Sequence, residues 1–362
     1  MNDSVNKYVR FDKGMTAIIK GFAIIFMMLL HCYGSDNYDV PLDYSRSLFT
    51  GESDMFKICV GMFTFMVGYG YAFSRDKDFK YSWRHIKKLL ITFWTILFVF
   101  TLPFCFKEVA HTDADILFYN LFGINSRFNY YSWFVYYFIF AMIVMPFVSR
   151  FIDRRPLSNT AIVVVICVLL SVIVHEIPRF MSWVGIQMPA IVDVDPLMAL
   201  FNSLMMMSVT VLGYLFAREG YYERINIGKL SGLWTAVLCA IAFVVALALR
   251  HFFYPLNIPF QFDFFYAPLM IGAIVVFFNK FHCGPVRTAL MKVGEVSVYM
   301  WFFHALFYVQ AVRWFYQPAI TIFNDINLVV LWAIVLTFFV SWGIKSIVDR
   351  VVALLTKPMS SD

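Results

Sequence analysis

Apolar runs of about twenty residues recur along the whole chain, and that is the length an α-helix needs to cross the ~30 Å hydrocarbon core of a bilayer. A window of that size finds ten segments, near 15–33, 55–73, 88–106, 131–148, 159–175, 199–216, 231–249, 264–279, 295–313 and 326–344. The one near 264–279 is the least regular, beginning beside Asp263 and containing Pro268. Composition agrees: 61% of the 362 residues are hydrophobic and 14% charged, against roughly 45–50% and about 25% in soluble domains. The expected fold is an all-α integral membrane protein, a bundle of about ten transmembrane helices in a lipid bilayer. No repeat of fixed period and no polar stretch long enough for a soluble domain interrupts it, so 1–362 reads as a single transmembrane domain. The polar start "MNDSVNKYVRFDKGM" leads into the first run with no small-residue cleavage pattern after it, which predicts a retained span and not a signal peptide.

Basic residues orient such a bundle, because cytoplasmic loops carry the excess of Lys and Arg. With the N-terminus taken as cytoplasmic, 21 of the 29 Lys and Arg fall on the inner side and five on the outer side. The other three, Lys20, Lys57 and Arg313, lie within spans. That asymmetry predicts both termini in the cytoplasm. It also accounts for the net charge of +6 as topology, so no nucleic-acid partner is expected. The outer loop after the first span, "GSDNYDVPLDYSRSLFTGESD", carries Asp36, Asp39, Asp43, Glu52 and Asp54; a solvated acidic loop is its simplest reading.

The six cysteines, at 32, 59, 105, 167, 239 and 283, show no CxxC pairing. They lie mostly in apolar runs and read as buried small apolar residues. No HxxxH, HExxH or acidic cluster of ligand spacing is present, so no metal is expected. The sharper feature is "KGFAIIFMMLLH". Lys20 and His31 are eleven residues apart, which leaves about 20° of rotation and about 16 Å of rise, so one helix face carries both. Lys20 falls toward the cytoplasmic leaflet and His31 toward the outer one. Lys20 could equally snorkel to the interface, and His31 could be an interfacial residue.

The sequence around this pair resembles the opening helix of the membrane acyltransferase 3 family, in which Arg or Lys is followed by ten residues and then His: here "MTAIIKGFAIIFMMLLHCYG". The resemblance continues in order. "VGMFTFMVGYGYAFSR" (60–75) is similar to the family's second span, with Gly61, Phe63, Phe65, Gly68 and Gly70. "WRHIKKLLITFW" (83–94) is similar to the basic entry of its third span. The family usually shows a closely spaced arginine pair there, and Arg84, Lys87 and Lys88 stand in its place. "YYSWFVYYFIFAMIVMPFV" (130–148) resembles the Trp-Phe segment ending in proline, with Trp133 and Pro146. "VGEVSVYMWFFHALF" (293–307) resembles a late span with Ser297, Tyr299 and His304.

The resemblance implies an acyltransferase that moves an acyl group, usually acetyl, from cytoplasmic acyl-CoA to a hydroxyl of a cell-surface or lipid-linked polysaccharide at a bacterial inner membrane. Imidazole, with a pKa near 6.5, can take a hydroxyl proton near neutral pH, so His31 is the candidate catalytic residue, either as base or as covalent acyl carrier. Lys20, Arg84, Lys87 and Lys88 are candidates for binding the phosphates of acetyl-CoA or another acyl-CoA; plain inner-side topology explains the last three equally. Trp133 could stack on a ligand ring or equally be an interface or core residue, and Asp36 and Asp39 could orient the His31 imidazole. Glu295 would cap the start of the ninth span. Ser297 and His304, seven apart, nearly share a face; they could form a site of their own, and interhelical hydrogen bonding is the role expected first. A second copy of the chain is a candidate partner. The other class considered is a transporter or flippase for a lipid-linked sugar, which predicts interrupted helices in corresponding halves; no such symmetry is evident. A purely structural membrane partner gives no reason for Lys20 and His31 to share a face.

Overall fold

Asp12 opens the first helix by turning its carboxylate back on the chain: Oδ1 accepts the Met15 amide at 2.9 Å, satisfying a donor that a helix start leaves free. The helix α1 (Lys13–Tyr33) runs 21 residues, about 31 Å at 1.5 Å per residue, enough to cross the hydrocarbon core. Gly34 closes it, donating its amide to the Leu30 carbonyl at 3.0 Å. The computed structural model describes residues 7–34, 38–49, 51–74, 77–125, 127–129, 131–154, 160–185, 196–229, 231–253, 263–281 and 283–356.

The helices that follow are α2 (Ile58–Ala72), entered through a 3₁₀ turn at Ser53–Lys57, and α3 (Phe79–Thr95), capped by Asp78. The C-terminal end of α3 runs on as a π-helical turn, Ile96–Thr101, and a 3₁₀ turn, Leu102–Phe104. Pro103 in that turn has no amide to donate. Short helices α4 (Phe106–Ala110) and α5 (Ala114–Leu121) lead to α6 (Trp133–Asp153). Then come α7 (Thr160–Trp183), α8 (Pro196–Glu219), α9 (Gly232–Phe253), α10 (Asp263–Lys280), α11 (Gly284–Glu295), α12 (Ser297–His304), α13 (Arg313–Tyr316) and α14 (Ile326–Thr356). No strand occurs among the described residues, only the isolated bridges Tyr8–Asn226 and Asp43–Asp325.

Eight of these helical units, among the described residues, are long and apolar enough to cross a membrane. They occupy eight of the ten segments expected from the sequence, and α7, of 24 residues, occupies the fifth. The ninth segment differs. Its helix is α12 plus a 3₁₀ turn, Ala305–Phe307, about 16 Å in all, half of a membrane. The expected start at Glu295 is also corrected: Glu295 is the last residue of α11, and the helix breaks at Val296, whose φ is −106° and ψ 5°. Glu295 therefore cannot cap the N-terminus of a ninth span. Beside the break, Gly294 is pressed against α1, where a side chain would collide with the Ala17 carbonyl, and Gly21 on α1 is pressed in turn against the Leu290 carbonyl. Glycines allow this close helix contact.

The basic segments gather at one end of the bundle. Val9 donates to the Ile225 carbonyl at 3.1 Å and Arg10 to Asn279 at 2.8 Å, and Lys280 reaches the Ile227 carbonyl at 3.0 Å. Lys77 pairs with Asp153 at 2.9 Å, and Tyr214 donates to the same carboxylate at 2.7 Å. The acidic loop gathers at the other end, where Asp43 donates its amide to the Asn324 carbonyl at 2.7 Å and His251 contacts Asp54 at 2.8 Å and Glu52 at 2.9 Å. Between the ends, α9 exposes Leu233, Trp234, Leu238, Ile241, Val244 and Phe252, an apolar surface suited to lipid. The molecule is a multi-pass membrane protein.

Candidate active site

His31 lies in the last turn of α1, and the short α12 brings its own last residue, His304, against it. The His31 Nδ1 and His304 Nε2 atoms are 2.8 Å apart. The other nitrogen of His304, Nδ1, lies 3.0 Å from the Met300 carbonyl oxygen. A carbonyl can only accept, so His304 carries its proton on Nδ1, and its Nε2, when the ring is neutral, can only accept as well. His31 must then donate from Nδ1. Its Nε2 is left with a free lone pair, the form that a base or nucleophile needs. Two hydrogen bonds in series, the first anchored on the Met300 backbone carbonyl, thus choose the tautomer of His31.

Packing holds the ring in this orientation. Tyr131 stacks on His31 with ring centroids 3.7 Å apart and planes within 15°, and on His304 at 5.1 Å and 5°. Trp301 of α12 donates its indole N–H to the Tyr131 carbonyl at 3.2 Å, and Asn129 donates to the Phe302 carbonyl at 3.1 Å. His304 is fully buried, whereas His31 is partly open. The next residue, Cys32, is fixed from the outside: Tyr308 donates to its Sγ at 2.9 Å and Tyr38 to its carbonyl at 3.0 Å.

Lys20 lies eleven residues earlier on α1, half-buried, with Lys88 of α3 close enough for the two ammonium groups to repel each other. Arg84, Lys88 and Lys20 all act electrostatically on His85, so three of the four candidate phosphate-binding residues share one locality. Lys87 is exposed and lies over the Trp83 ring at 5.9 Å. Like charges brought together form a region of positive potential. Trp133 begins α6 and meets Trp301 edge-on at 6.4 Å, one side chain removed from Tyr131. Asp39 accepts from Arg313 at 2.9 Å, and its amide donates to Gln317 at 2.6 Å. The described ring partner of His31 is therefore His304, while Asp36 lies outside the described residues. Among the described residues, no group of three or more His, Cys, Asp or Glu is placed to hold a metal ion.

For His304, sequence reasoning put interhelical hydrogen bonding ahead of a Ser297–His304 site, and it gave Tyr131 no part. His304 had a signal, its place in a late-span motif with Ser297 and Tyr299. Tyr131 lies within the quoted segment 130–148, but it sits outside α6 and reaches the histidines only through the tertiary fold.

The fold thus sets a hydrogen-bonded histidine pair against one end of α1 and brings Arg84 and Lys88 of α3 near Lys20 toward its other end. The chain matches the family model of the acyltransferase domain over residues 17–346 and belongs to that family, the membrane acyltransferase 3 family. It is thus a membrane acyltransferase. No curated protein and no solved structure matches it.

Proposed function

We propose that the protein transfers an acyl group, acetyl in the first instance, from cytoplasmic acyl-CoA to a hydroxyl of a cell-surface or lipid-linked polysaccharide, in the inner membrane of a bacterial cell. The observation that carries this reading is the hydrogen-bonded order Met300 carbonyl, His304, His31, which leaves Nε2 of His31 unprotonated. In the reaction, Nε2 takes the proton of the acceptor hydroxyl as its oxygen bonds to the thioester carbonyl carbon. The C–S bond then breaks, and the CoA thiolate takes the proton from the imidazolium. No proton is gained or lost overall.

Lys20, Arg84 and Lys88, joined by Lys87, hold the phosphates of the donor at the basic end, where a fixed cation gives charge-assisted hydrogen bonds. That end faces the cytoplasm by the positive-inside rule, which puts both termini there and His31 near the outer surface. The roughly 16 Å between Lys20 and His31 along α1 suits the extended pantetheine arm of CoA. Trp133 and the acidic residues Asp39 and Asp36 are the proposed acceptor contacts on the outer side. The same lone pair on Nε2 would serve a covalent carrier, and rapid-quench trapping of an acyl-imidazole separates the two routes.

The test uses the full chain in lipid nanodiscs, radiolabelled acetyl-CoA as donor probe and a glycan and lipid extract of bacterial membranes as acceptor pool. Base-labile label in the extract, lost in His31→Ala while the variant keeps its thermal midpoint, is the expected result. Wild-type transfer by His31→Ala would overturn the reading.

A further inference from the structure

Taking the acceptor proton leaves a positive charge on His31, and a cation needs a compensating group where water is scarce. His31 Nδ1 and His304 Nε2 lie 2.8 Å apart, and no carboxylate among the described residues is hydrogen-bonded to either ring. Asp39, which the sequence put forward to orient His31, is bonded to Arg313 at 2.9 Å. What lies against the pair is an aromatic face. The Tyr131 ring centroid is 3.7 Å from that of His31 with the planes 15° apart, and 5.1 Å from that of His304 at 5°. A cation is attracted to the negative face of an aromatic ring within about 6 Å of its centroid, so both imidazoles are inside that range.

The ring is placed before any charge develops. Tyr131 lies on the segment that leads into α6, and two hydrogen bonds tie that segment to α12, the helix that carries His304. Trp301 donates its indole N–H to the Tyr131 carbonyl at 3.2 Å. Asn129, 1% exposed, donates its side-chain amide to the Phe302 carbonyl at 3.1 Å. The Ser132 amide donates to the Asn129 carbonyl at 2.9 Å, which closes a turn around Tyr131. A group fixed in this way costs no reorganisation when charge appears, and that is what makes an electrostatic contribution effective.

Resting on the transfer reading above, we infer that Tyr131 stabilises the imidazolium of the acyl-transfer step with the face of its ring, the part that a carboxylate plays beside the histidine of a Ser-His-Asp triad. As the acceptor oxygen bonds to the thioester carbon, the hydroxyl proton goes to Nε2 of His31. Nδ1 keeps its own proton and its hydrogen bond to His304. The positive charge spreads over the His31 ring, against the Tyr131 face. When the C–S bond breaks, the CoA thiolate takes the proton from Nε2 and the charge is gone. A neutral imidazole gains little from this interaction, so it is made chiefly in the transition state and acts on kcat more than on donor binding. Acting through His31, Tyr131 is a positioning residue whose contribution is electrostatic.

The experiment replaces Tyr131 with Phe, and then with phenylalanines bearing one, two and three ring fluorines, introduced into the full chain by nonsense suppression. Fluorine withdraws electron density from the ring face and leaves its size nearly unchanged. Single-turnover transfer from radiolabelled acetyl-CoA is measured in nanodiscs, with the same extract as acceptor pool, beside donor KM and thermal midpoint. The expected result is a rate close to wild type for Tyr131→Phe and a stepwise fall with each fluorine, about 2- to 30-fold in all, at constant KM and midpoint. Tyr131→Leu, which has no π face, falls at least as far. If the ring only packs, the fluorinated series is flat, and that outcome overturns the inference. A loss already complete in Tyr131→Phe belongs to the hydroxyl and overturns it too. Wild-type transfer by His31→Ala would instead overturn the underlying reading, so the two failures are distinguishable.

Discussion

Replacing His304 with Phe tests the tautomer argument directly, because the ring against Tyr131 is kept while the acceptor for His31 is lost. In the native site His31 Nδ1 donates over 2.8 Å to a fully buried nitrogen. Without that acceptor, a proton on Nδ1 is a buried donor with no partner, which costs about 1–3 kcal/mol. The ring escapes the cost by moving the proton to Nε2, the position that must stay free. At 1.4 kcal/mol per decade, the reactive tautomer and kcat fall by roughly 5- to 150-fold. Donor KM stays near its native value, because the cations are at the other end of α1. His304→Gln, whose amide oxygen can accept from Nδ1, should recover part of the loss. The assay is initial-rate transfer from labelled acetyl-CoA with both variants checked for thermal midpoint. Native kcat in His304→Phe, or a Gln variant no faster than the Phe variant at equal stability, would refute the reasoning.

Lys20→Met should raise donor KM by about 10- to 100-fold, the range for a lost charge-assisted hydrogen bond of 1.5–3 kcal/mol, with kcat at saturating acetyl-CoA nearly unchanged; Lys20→Arg should keep most of the affinity. Gly294→Val drives a side chain into the Ala17 carbonyl of α1, and overpacking of this kind costs about 1–3 kcal/mol, to be read as a lower thermal midpoint in nanodiscs. In the outer loop, the Ser45 side chain and backbone amide hold the Asp43 carboxyl below the usual carboxylate range, the amide at 2.8 Å. A depressed folded-state value means this contribution is present above the unfolded value of about 3.9 and is lost as pH falls through the folded one. Carboxyl-specific NMR titration of Asp43 should therefore show a midpoint under the ordinary value, moving up toward it in Ser45→Pro, which has no amide to donate.

Much of this protein is legible without coordinates because the bilayer imposes one-dimensional rules. Length and apolarity of a segment set the helices, so α1, α6, α9 and α14 fall where hydropathy puts them. The distribution of Lys and Arg sorts the loops into two sets, and the structure gathers those sets at opposite ends. Helical periodicity alone puts Lys20 and His31 on one face of α1. The interruption at Val296 was not legible in the hydropathy of the segment, and neither was the contact of Gly294 with Ala17 beside it, which joins residues far apart in sequence.

Pairing belongs to the same class. Which group meets His31 depends on where a half-length helix stops, on a backbone carbonyl at Met300, and on Tyr131 entering from a connecting segment. The sequence alone determined what this chain could be, an apolar helical bundle with a base and a cation on one helix, because those properties follow from local composition and the 3.6-residue repeat. Only the tertiary structure decided which nitrogen of that base is free, because a hydrogen bond is a statement about two partners in space, and the partner of His31 lies 273 residues away along the chain.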